Sequence, residues 1–65
     1  MPVIKVIMGK ANVEMKKMLI EKLTSVAVEV TKAPASVFTV LIEELELDNM
    51  GVGGQTLAEK HSAIN

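Results

Sequence analysis

The sequence predicts an α/β protein: a single β-α-β unit with parallel strands, completed by oligomerisation. Three observations carry that reading. Residues 3–8 and 37–43 are short runs rich in β-branched residues, the stretch between them changes to helical spacing, and the chain has only 65 residues with a hydrophobic share of 49%. A crossover of this length suits a parallel pair with a right-handed connection. Two parallel strands under one helix leave edges and one face without partners, so other subunits must complete the sheet.

Residues 1–65 read as one domain, and a chain this short buries too small a fraction of its surface to be comfortably stable alone. It has no cysteine for a disulfide and no His/Cys cluster for structural zinc. Mean hydropathy is +0.36 although there is one phenylalanine and neither tryptophan nor tyrosine. Apolar surface that no large core receives is expected between subunits, which predicts a homo-oligomer. A net charge of -1 without a basic cluster offers no surface for nucleic acid. No apolar run reaches the length of a membrane span, and the first residues lack the pattern of a signal peptide. The expectation is a cytoplasmic protein with no membrane partner.

The chain opens Met1-Pro2, and proline is tolerated at the start of a strand, where no ladder donor is missed. Once Met1 is removed, Pro2 presents a secondary amine fixed in a ring, a base held at one end of a sheet. Val3–Met8 reads as the first strand, apolar except for Lys5 and so expected to be buried on both faces over most of its length. Asn12 is placed to cap a helix, with Glu14 in the first turn where the helix dipole favours a negative charge. From Val13 to about Thr31, Met15, Leu19, Leu23, Val26, Ala27 and Val30 fall on one stripe. Ile20 and Val28 lie off it and form a second apolar side for a neighbouring subunit, while Met15 and Met18 read as adaptable packing.

Pro34 ends the helix and biases Ala33 away from helical angles. Val37–Glu43 follows as the second strand. Glu43 and Glu44 point to opposite faces there, so they form a solvated strand end rather than a carboxylate pair. Asn49-Met50-Gly51-Val52-Gly53-Gly54 reads as a short hairpin or tight turn against another subunit. The dinucleotide-binding reading of these glycines fails because no further β-α-β unit follows. Residues 55–65 are expected to start a short helix over Thr56–Lys60 and then fray, with His61 a solvated tail residue and no metal site.

Met-Pro before an apolar strand, a β-α-β unit of this size, and Asn-Met-Gly-Val-Gly-Gly behind an acidic-ended second strand together resemble the 4-oxalocrotonate tautomerase family over roughly residues 2 to 60. The resemblance implies the tautomerase fold, in which subunits pair into a four-stranded sheet and assemble as a hexamer, a trimer of dimers. It also implies enol-keto tautomerisation of small 2-hydroxy-dienoates or 2-oxo acids without metal or organic cofactor, with Pro2 as general base and acid. A proton shuttle works best with a pKa near the working pH, and burial and nearby positive charge both lower that of an amine. Lys10 matches the position of the family's loop arginine, allowing for a loop one residue shorter. Thr39 matches its strand arginine and Met50 the aromatic that walls its pocket. All seven cations here are lysines. Lysine attracts a carboxylate as a point charge but lacks arginine's planar fork, and Thr39 offers a hydroxyl at most. That departure leaves two alternatives, a non-catalytic oligomeric scaffold of the same fold and a promiscuous conjugate-addition (hydratase) or dehalogenation activity using the same proline.

Overall fold

The computed structural model describes residues 1–64. Strand β1 (Val3–Met8) leads into helix α1 (Val13–Thr31), and strand β2 (Thr39–Glu44) returns beside β1. A small hairpin of β3 (Gly51–Val52) and β4 (Gln55–Thr56) and a helix α2 (Leu57–Ile64) follow. Strands β1 and β2 are parallel, with Val3 opposite Thr39 and Met8 opposite Glu44. The strand-helix-strand order predicted from the sequence is the order observed.

Local chemistry accounts for most boundaries. The Asn12 side-chain oxygen accepts the Met15 N–H at 2.8 Å and caps α1. Beyond α1, Ala35–Val37 forms a 3-10 turn in which the Val37 and Phe38 N–H groups donate to the Pro34 and Ala35 carbonyls. The second strand therefore starts at Thr39, two residues after the sequence expectation. The chain needs Val37 in that turn to pass from helix to strand, and this outweighs its β-branched preference.

Both apolar faces differ from expectation in a single chain. Along β1, Ile4, Val6 and Met8 are half-buried under α1, whereas Val3, Lys5 and Ile7 are exposed, so one face is covered and the other is open. On α1 the covered residues are Leu19, Leu23, Ala27 and Val28, while Met15, Val26 and Val30 face outward. The apolar arc from Met18 round to Ile20 spans roughly 200° at 3.6 residues per turn. One sheet covers only about half of such an arc. Among the described residues no side chain is fully buried. The sheet's open face, with Val3, Ile7 and Leu41, and the outer arc of α1 are left without partners.

The glycine-rich segment is the expected hairpin. Gly51 pairs with Thr56 and Val52 with Gln55, and both central residues have positive φ, Gly53 at 63° and Gly54 at 84°. Two successive positive φ values follow the type I′ pattern, which matches strand twist and favours glycine. Helix α2 is longer than the expected Thr56–Lys60. Thr56 stands before it as the cap: its hydroxyl accepts the Glu59 N–H at 3.1 Å while the Glu59 carboxylate accepts the Thr56 N–H at 3.3 Å. The fray expected after Lys60 is not found over residues 61–64, which continue the helix, and Asn65 lies outside the described residues. Among the described residues no helix is long and apolar enough to cross a membrane.

Candidate active site

Pro2 is exposed immediately before β1, and its carbonyl accepts the Thr39 N–H at 3.1 Å, which extends the parallel ladder by one bond. Thr39 is thus Pro2's neighbour across the sheet. Its hydroxyl donates to the Met1 sulfur at 3.9 Å, so a polar group stands beside the start of the chain. The strand fixes Pro2 from behind, and the parallel register fixes Thr39 opposite Val3.

Lys10 and Met50 lie elsewhere. They line a concavity of about 650 Å³ at the other end of β1, together with Ile7, Met8, Leu45 and Leu47. At ~3.3 Å per strand residue, that is on the order of 20 Å from Pro2. A single chain therefore brings Pro2 to Thr39 and Lys10 to Met50, but does not bring the two pairs together.

The Lys10 ammonium stands 3.0 Å from a Glu46 carboxylate oxygen, and both side chains are largely solvent-exposed. The hydrogen bond that Lys10 donates to Glu46 and the Glu46 charge, with a smaller contribution from Glu44, hold the Lys10 pKa above the usual lysine value against desolvation. Lys10 is thus held as a cation and suits anion attraction rather than proton removal.

Glu44 holds the loop that carries Lys10. One carboxylate oxygen accepts the Ala11 N–H at 2.7 Å and the other accepts from the Lys16 ammonium at 3.1 Å. The Ala11 bond first and the Lys16 bond second depress its pKa below the ordinary carboxylate value. Because the folded pKa is lowered, this stabilisation is present above pH 4.5, the group's unperturbed value, and is lost as pH falls through the folded pKa. Glu44→Gln is expected to destabilise the protein at neutral pH and to match the wild type in strong acid. Chemical unfolding of both proteins across that range checks it, and a difference that persists at low pH would contradict the assignment.

Glu43, on the opposite face as expected, pairs with Lys5 at 3.0 Å, a diagonal cross-strand contact. Glu44, by contrast, is an anchor for a loop rather than a solvated strand end. His61, read from the sequence as a tail residue, stands on α2 and lines the Lys10 concavity. Glu46 and His61 have no local sequence signal for their places: Glu46 meets Lys10 because β2 returns beside β1, and His61 reaches the concavity because the hairpin lets α2 pack on the turn at Leu47–Asn49.

Comparison with known proteins agrees with this architecture. The family model described as tautomerase enzyme matches residues 2–60. A probable tautomerase of Bacillus cereus is 39% identical over 57 residues, covering 88% of this chain and 92% of the relative. The crystal structure of TomN, a 4-oxalocrotonate tautomerase homologue in the tomaymycin biosynthetic pathway, superposes with a TM-score of 0.93 at 28% identity, covering 98% of this chain and 100% of TomN. A heterohexameric 4-oxalocrotonate tautomerase from Chloroflexus aurantiacus superposes with a TM-score of 0.85 at 25% identity, covering 91% of this chain and 97% of its own. The chain belongs to the tautomerase family, and its solved neighbours are 4-oxalocrotonate tautomerase homologues.

Proposed function

We propose that this chain is a cytoplasmic, homo-oligomeric tautomerase that interconverts the enol and keto forms of small 2-hydroxy-dienoates or 2-oxo acids, with the amine of a methionine-free Pro2 as general base and acid. The observation that carries the reading is the pinning of Pro2 at the head of β1 by Thr39, in a chain of the tautomerase family. The Pro2 nitrogen takes the proton of the 2-hydroxyl group, the O–H electrons form the carbonyl, the double bond shifts, and the proton returns to a chain carbon. One proton moves and nothing is oxidised, so the residues need only hold the acid and time the proton.

The separation of Pro2 from Lys10 adds an assembly requirement. Among the described residues only β2 is hydrogen-bonded to β1, which leaves the other edge of β1 open to a second chain. A second β1 running antiparallel on that edge sets one chain's Pro2 near the other chain's Lys10 and Met50. Such a pair has four strands, and three pairs make the hexamer proposed for this chain. The heterohexameric assembly of the Chloroflexus protein supports that number. In the composite centre Lys10 attracts the substrate carboxylate, Met50 forms an apolar wall, and Thr39 offers its hydroxyl beside Pro2.

Lys10→Ala is expected to raise KM for carboxylate substrates roughly tenfold, as for loss of one charge-assisted hydrogen bond, with little change in kcat. Steady-state kinetics on a 2-hydroxy-dienoate measure this, and an unchanged KM would remove Lys10 from the site. One observation favours a second reading, the non-catalytic scaffold: the sequence contains no arginine at all. Undetectable turnover by assembled, methionine-free protein across several 2-hydroxy-dienoates would select the scaffold.

A further inference from the structure

The cations and anions around the concavity are unequal to the task of holding a dicarboxylate. One ammonium, Lys10, already faces Glu46 at 3.0 Å, and Glu44 stands at the base of the same loop. The remaining walls are mainly apolar, Ile7, Met8, Leu45, Leu47, Met50 and Leu57, with His61 also in the lining. The pair is exposed and breaks at small cost, so an incoming carboxylate can share Lys10. Glu46 nevertheless stays within a side chain's reach as a like charge. At the Pro2 end Thr39 adds a hydroxyl but no second cation.

Resting on the tautomerase reading above, we infer that Glu46 is a specificity-determining residue that turns the Lys10 end of the site toward acids with one carboxylate and an apolar tail, and against dicarboxylates. A monoanion meets one ammonium and lays its hydrocarbon along the methionine and leucine walls. A dianion brings a second charge that finds no second lysine in this lining, only Glu46, the His61 imidazole and water.

The test is binding of two six-carbon acids to the assembled, methionine-free protein, hexanoate as the monoanion and hexanedioate as the dianion. Affinities come from amide chemical-shift titration near neutral pH for the wild type, Glu46→Gln and Lys10→Ala. Glu46 is exposed, and it caps the turn at Leu47–Asn49 with its backbone carbonyl and not its side chain, so its amide variant is expected to fold and assemble, with sedimentation as the check. The expected result is tighter binding of hexanoate than of hexanedioate by the wild type. In Glu46→Gln the hexanedioate affinity should rise about fivefold relative to hexanoate, the size of one water-screened contact between unit charges. Lys10→Ala should weaken both acids. Tighter binding of hexanedioate by the wild type, an equal change for both acids in Glu46→Gln, or no binding of hexanoate at all would overturn the inference. Binding needs no turnover, so the expected pattern from a protein without activity would defeat the tautomerase reading alone. Active protein that prefers 2-hydroxy-dienedioates over 2-hydroxy-monoenoates and dienoates with one carboxylate would defeat this inference alone.

Discussion

Replacing Ile7 by lysine is expected to abolish assembly and, with it, the folded chain at micromolar concentration. Ile7 is 57% exposed on the open face of the sheet, directly opposite Glu43 in the β1–β2 register. In an isolated chain Ile7→Lys would bring opposite charges together across the strands, so intrachain pairing should not suffer. The harm falls on the assembly, where burying an ammonium costs several kcal/mol per ion even after relaxation. The chain cannot compensate, because no described side chain is fully buried without a partner. Sedimentation and circular dichroism measured together check this outcome. A folded Ile7→Lys monomer, or an assembly as stable as the wild type, would show that the open sheet face is not what holds subunits together.

The second large effect concerns Met1. Protein with Met1 attached is expected to assemble normally and to lose about 10²–10⁴-fold in tautomerisation rate, the usual range for removing a positioned general base. With Met1 in place the Pro2 nitrogen is an amide and has no lone pair to offer a proton. The fold should not respond, since Met1 is 96% exposed and precedes β1. Pro2→Ala in processed protein is a gentler change, because it leaves a primary amine at the same place. The comparison of processed with unprocessed protein therefore isolates the nitrogen, with intact mass confirming each form.

What the sequence made legible follows from how local each signal is. Strand β1, the Asn12 cap, the body of α1 and the hairpin at Gly53-Gly54 depend on periodicity, a cap or a positive φ, all carried within a few residues. The true edge of β2 was hidden because Val37 favours a strand by itself and enters a turn only through the passage from helix to sheet. The burial of β1 on both faces was expected from its nearly continuous apolar run, but the single chain covers only the face of Ile4, Val6 and Met8. Thr56 and Glu59 do carry the sequence pattern of a capping box, which sets the start of α2 at Leu57.

The candidate site was less legible. Pro2 and Thr39 are neighbours because of the parallel register, which residue types alone do not fix. Lys10 was visible as a cation after β1, but its pairing with Glu46 and the anchoring of its loop by Glu44 arise from the return of β2 alongside β1. His61 reached the concavity through two turns and a helix that no short window of sequence contains.

The central claim is that the Pro2 nitrogen carries the proton. Its most direct measurement is the pH dependence of tautomerisation by methionine-free protein, recorded beside the titration of the same nitrogen in 15N-proline-labelled protein. A protonated amine cannot accept the substrate proton, so the rate should be low in acid and rise with pH through the titration of that nitrogen. The account predicts coincidence of the two curves and no such rise in protein that retains Met1. A rate that stays flat while the Pro2 nitrogen loses its proton, or equal rates from the two forms, would contradict it.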